Sequence, residues 1–115
     1  MSLTPEGLIK NQICEWLSYQ RDMMFWQNQS VGVYDPGKGI FRKCKSKYQR
    51  NGVADILGVY KGKPLAIEVK SKKGYPTVEQ KAFLAEFEKM GGIAILARSI
   101  EDVEKVLKQV DQRCA

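Results

Sequence analysis

At 115 residues, 43% hydrophobic and 28% charged, the chain fits one globular domain spanning 1–115 that can bury a core without staples. Its formal net charge of +6 favours an acidic partner, nucleic acid first among them. The absence of histidine excludes Ser-His-Asp triads, H-E-x-x-H metalloproteases and His-metal nucleases, and Cys14, Cys44 and Cys114 lack the spacing of a zinc site or a disulfide framework.

Taken in chain order, Thr4 caps a first helix with Pro5 at its first position. Ile9, Ile13, Trp16 and Leu17 form one apolar stripe, and the helix is expected to run to Arg21. Cys14, Trp16 and Trp26 read as packing residues. The stretch 23–29, MMFWQNQ, reads as a strand, and Asp35-Pro36-Gly37-Lys38-Gly39 is a turn between two short strand candidates. Residues 45–52 read as a polar, basic surface loop. Two further strands, 54–60 and 64–70, flank Lys61-Gly62. Thr77 opens a helix to Met90 with Phe83, Phe87 and Met90 on one face, stopped by Gly91-Gly92. IAILA at 93–97 is a buried strand, and Ser99 with Asp102 opens a last helix carrying Val103, Val106, Leu107 and Val110 at helical spacing. This order predicts a single mixed α/β domain. No apolar run approaches membrane-spanning length and no leader pattern is present, so the expected location is the cytoplasm.

The charge is distributed unevenly. From Arg42 to Lys73 there are ten Lys or Arg residues against only Asp55 and Glu68, which interrupt otherwise apolar strands. If Lys61 and Gly62 form a two-residue hairpin loop, Tyr60 opposes Lys63 and Asp55 lies opposite Glu68 on one face, with Cβ atoms roughly 4.5 to 5.5 Å apart. The strand period of two brings Lys70 to the same face. Apolar flanks on both strands predict a central pair covered by helices on both sides. Opposed like charges destabilise a sheet, and three arrangements could compensate: a shared proton, Lys70 as counter-ion, or a bound divalent cation. A simpler alternative is an ion pair between Glu68 and Lys70 at a solvent-facing strand end, with Asp55 as a turn residue. Hard oxygen ligands beside a basic surface suit Mg2+ or Mn2+ and a polyanionic substrate, which together suit phosphodiester hydrolysis.

The pattern Asp55, twelve intervening residues, then Glu68-Val69-Lys70 resembles the PD-(D/E)XK nuclease superfamily. Residues 50–99 resemble its virus-type replication-repair nuclease branch, VRR-NUC, known from phage proteins and from a DNA interstrand-crosslink repair nuclease. The ordered set is Gly52-x-x-Asp55, Glu68-Val69-Lys70, a loop at Gly74, Gln80 early in a helix, and Gly91-Gly92 before a strand; Ala54 stands where the superfamily name has Pro. The resemblance implies a restriction-endonuclease-like mixed β-sheet core with helices on both faces. It implies that Asp55, Glu68 and the Val69 carbonyl hold Mg2+ or Mn2+, that Lys70 orients water or stabilises phosphate charge, and that Gln80 reaches the site. Glu6 would be an additional acidic residue near the metal. Two of these residues have local uses as well: Thr77-x-x-Gln80 is a capping box, and an acid such as Glu6 stabilises any first helical turn.

Lys43, Lys45, Lys47, Arg50, Lys72 and Lys73 are candidate phosphate contacts, and Tyr48 and Tyr75 candidate stacking partners for unpaired bases. A solvated charge run and half-exposed tyrosines are the alternatives. Two functions follow: a metal-dependent endonuclease acting on duplex or branched DNA, or a catalytically silent nucleic-acid-binding domain on the same fold. The resemblance further implies a homodimer able to cut two strands, in a bacterial or phage-infected cell.

Overall fold

The computed structural model describes residues 4–28, 33–35, 37, 39–42 and 47–113. Helix α1 (Pro5–Ser18) starts where the Thr4 side chain accepts a hydrogen bond from the Gly7 amide at 3.0 Å. It ends short of the expected Arg21: the Tyr19 amide bonds back to Trp16, and Asp22 at φ 57° swings the chain into strand β1 (Met23–Gln27). The regular strand ends at Gln27, although the Asn28 amide still continues the pairing with β4 by donating to the Asp55 carbonyl at 2.7 Å; Gln29 lies outside the described residues. Strands β2 (Val33–Asp35) and β3 (Ile40–Arg42) form a separate antiparallel ribbon with Asp35 paired to Ile40; Pro36 and Lys38 of the expected turn lie outside the described residues.

Strands β4 (Ile56–Tyr60) and β5 (Lys63–Val69) form the expected tight hairpin, with Tyr60 paired to Lys63. Lys61 at φ 50° and Gly62 at φ 81° both take the left-handed conformation that a two-residue primed turn requires. Helix α2 (Val78–Lys89) then crosses to strand β6 (Ile93–Ala97), which pairs parallel to β5, and α3 (Ile100–Arg113) closes the fold. The sheet order is β1-β4-β5-β6.

One sheet face carries Ile56, Tyr60, Leu65, Ile67, Val69, Ile93, Ile95 and Ala97, sealed by Ile13 and Leu17 of α1 and by Val103 and Leu107 of α3. Each fully buried Ile or Leu contributes about 1.5 to 3 kcal/mol. On the other face, among the described residues, α2 packs on β5 and β6. None of its residues is fully buried, although Phe83 and Phe87 pair with centroids 5.6 Å apart. The expectation of cover on both sides therefore holds for β5, buried from Leu65 to Val69, but not for the β1–β4 half. A single helix is about 10 to 12 Å wide, enough to cover two strands spaced about 4.8 Å apart. Trp26, expected to pack, is 47% exposed there beside Met24 and Val59, and Met90 lies beyond the end of α2 and is exposed. Cys14 and Trp16 pack against the core as expected.

Candidate metal centre and nucleic-acid interface

The site forms at the open end of the β4–β5 hairpin. The paired register runs outward to Ile56 opposite Ile67, one step short of Asp55 and Glu68. Asp55 has left the strand, and its Oδ2 accepts the Val69 amide at 2.9 Å. This contact anchors the carboxylate across the hairpin rather than leaving it squarely opposed to Glu68, and no sequence pattern announces it.

Glu68 is the one charged residue buried in the core among the described residues, 1% exposed, on the α2 face of β5. Its Oε1 accepts the Gln80 side-chain amide at 3.0 Å and lies 3.7 Å from Lys70 Nζ. Its buried Oε2 has no hydrogen-bond partner among the described residues. Burial, and next the neighbouring Asp55 carboxylate, push the Glu68 carboxyl up to about 8; Lys70 opposes the rise and Glu6 adds to it. A buried acid beside a second carboxylate is a costly arrangement unless a proton or a cation lies between them. The donors available are hard oxygens, the two carboxylates and nearby backbone carbonyls, so the residues fit Mg2+ or Mn2+. Among the described residues no three acid, Cys or His side chains come together as a metal cage. Glu6, in the first turn of α1, thus acts on Glu68 through space and is not drawn into a three-carboxylate set.

Gln80 does both things the sequence allowed. Its Oε1 accepts the Thr77 amide at 2.9 Å, completing the capping box, while its Nε2 holds Glu68. Gly52 sets the distance between these parts: at φ 81°, a Cβ on it would lie 2.4 Å from the Glu79 carbonyl carbon and 2.7 Å from the Gln80 amide nitrogen. Only a glycine lets the chain entering β4 touch the first turn of α2.

The candidate DNA contacts divide by position. Lys72, Lys73 and Tyr75 are exposed on the loop from β5 to α2, directly after Lys70. Lys47 is exposed with its Nζ 5.1 Å above the Tyr48 ring. Arg50 is tied to α2 by an ion pair with Glu86 at 2.5 Å and by the Phe83 ring beneath it, so part of its charge is spent inside the protein. Lys43 and Lys45 lie outside the described residues. Sequence reasoning passed over Arg98, which follows β6 and reaches into this loop. The signal that would find it is the parallel pairing of β5 with β6, a long-range contact with no local trace.

No protein-family model matches the chain, and no curated protein matches it. Among solved structures, one described as a VRR_NUC domain protein is similar over 95% of this chain and 89% of that one, with a TM-score of 0.60 at 19% identity. The chain has the fold of that protein, a mixed four-stranded sheet flanked by helices.

Proposed function

We propose, on this VRR_NUC fold, that the chain is a metal-dependent DNA endonuclease that hydrolyses phosphodiester bonds, with a preference for junctions, flaps or other branched duplexes in replication, recombination or repair. The observation that carries the reading is Glu68: a buried carboxylate with an unpartnered Oε2, beside Asp55 and 3.7 Å from Lys70. Asp55, Glu68 and the Val69 carbonyl would hold Mg2+ or Mn2+, with Glu6 adding negative charge nearby. When bound, such a cation polarises a phosphate oxygen and lowers the proton affinity of water. Gln80 fixes the Glu68 rotamer through Oε1 and leaves Oε2 free. Lys70, whose side chain is only 13% exposed with Nζ 3.7 Å from Glu68, would orient the attacking water or meet the negative charge that grows on phosphate. Water supplies the oxygen that bonds to phosphorus as the sugar oxygen leaves.

Lys43, Lys45, Lys47, Arg50, Lys72 and Lys73 serve the phosphates, and Tyr48 and Tyr75 the unpaired bases. A homodimer working in the cytoplasm would bring two such sites to the two strands of a junction. No helix among the described residues is long and apolar enough to cross a membrane. The test is a panel of single strands, flaps, forks and four-way junctions incubated with Mg2+, Mn2+ or excess chelator. Cleavage should need the cation and should fall by orders of magnitude in Glu68→Gln and Lys70→Met. Full activity in chelator would overturn the reading. Tight binding to the same DNAs without cleavage under any cation would favour the silent-binder alternative.

A further inference from the structure

Arg98 stands immediately after β6, where the Ala97 carbonyl accepts the Lys70 amide at 3.0 Å and so brings the end of the catalytic strand beside it. Its own backbone is fixed, because its amide donates to Asp102 Oδ2 at 2.9 Å. From that base its Nη1 donates to two carbonyl oxygens of the loop after Lys70, Ser71 at 2.5 Å and Gly74 at 2.6 Å. The guanidinium carbon lies 5.7 Å from the centre of the Tyr75 ring. The loop contains Lys72 and Lys73 and no acid, so ion pairing does not explain why a further cation is aimed at its centre. Backbone does. Carbonyls drawn inward onto one guanidinium leave the intervening lysines turned outward, and both are exposed.

We propose that Arg98 is a positioning residue that pre-organises the 71–75 loop for phosphate, acting through Lys72, Lys73 and Tyr75 rather than by touching DNA itself. The proposal rests on the nuclease reading above. One nitrogen, Nη1, donates to both carbonyls while the guanidinium carbon stays near the Tyr75 ring; the shorter side chain and compact ammonium of Lys could keep all three contacts only by shifting the loop. A loop that holds its binding form only a tenth of the time lowers apparent affinity about tenfold.

The first arm of the test needs no DNA. Native protein is digested briefly with trypsin, and cuts after Lys72 and Lys73 are followed by mass spectrometry beside a thermal melt. Arg98→Ala and Arg98→Lys should both speed cutting at this loop by about tenfold or more while cuts elsewhere stay slow. The second arm measures affinity for a short labelled duplex in chelator, in a double-mutant cycle. Arg98→Ala should weaken binding about tenfold in the wild-type background and not at all in Lys72→Ala/Lys73→Ala/Tyr75→Ala. Equal losses in both backgrounds would show direct contact or a general fold defect and overturn the proposal. So would full rescue by Arg98→Lys, which would make charge alone sufficient. If Arg98→Ala does not fold, Arg98→Lys carries both arms. No duplex binding by the wild-type protein would instead strike the nuclease reading, and the protease arm would still decide whether Arg98 orders the loop.

Discussion

Glu68 links the chemistry of the site to the stability of the whole chain. Its carboxyl is raised from 4.5 to about 8 by burial and by Asp55, so the folded protein binds this proton more tightly than the unfolded chain does. The stabilising contribution is therefore complete below 4.5 and is lost as pH rises through about 8. The slope in that window approaches about 1.4 kcal/mol per pH unit for a single proton. Thermal melts in chelator should show the metal-free protein weakening across this range. Glu68→Gln should flatten the dependence, melt at or above the wild-type temperature at the alkaline end, and show none of the stabilisation by Mg2+ that the proposed metal site predicts for the wild type. A steeper decline in Glu68→Gln would mean that the charge of Glu68 supports the fold as partner of Lys70. Divalent ions must displace the proton, so their affinity for the wild-type protein should increase with pH through the same window.

The caps and turns of the elements were readable in the sequence because each is local chemistry. Thr4 with Pro5, Thr77 with Gln80, and Lys61 with Gly62 need no tertiary contact to be recognised, and all three appear where expected. Gly52 shows the limit of such reading. It was visible as part of a motif, but its role comes from α2, whose first turn leaves no room for a side chain. Gly52→Ala should lower the melting temperature substantially, since left-handed backbone strain of about 1 to 2 kcal/mol adds to the displacement of α2. It should also weaken Mg2+ binding measured by calorimetry, because Gln80 moves away from Glu68. Gly91→Ala is the matched control: its φ is 94° but its added Cβ would meet nothing within 4 Å, so only the backbone strain remains. Equal effects of the two substitutions on Mg2+ binding would deny Gly52 its part in spacing the site.

Across the molecule, alternation and periodicity revealed which residues are apolar but not how far a helix would reach to cover them. Val59 reads much like Ile67, yet Ile67 turns toward α1 and α3, whereas α2 crosses only the β5–β6 half of the opposite face and leaves Met24, Trp26 and Val59 exposed. Ile67→Ala should accordingly cost about 2 to 5 kcal/mol in chemical denaturation, while Trp26→Ser should cost under about 1 kcal/mol and improve solubility. A Trp26→Ser penalty as large as that of Ile67→Ala would mean that this face is covered in solution. Asp55, Glu68 and Lys70 could be placed together from sequence because one tight turn joins them, whereas Arg98 could not, since it arrives through a parallel crossover. That turn also bears on the time course of folding. A two-residue hairpin closes within microseconds, whereas the crossover that carries Gln80 must await slower non-local pairing. The two carboxylates therefore meet before the side chain that steadies them has arrived, and their repulsion belongs to the barrier. In stopped-flow refolding without metal near neutral pH, Glu68→Gln should fold faster than wild type with little change in its unfolding rate. A change confined to unfolding would mean that this hairpin closes only after the barrier is crossed.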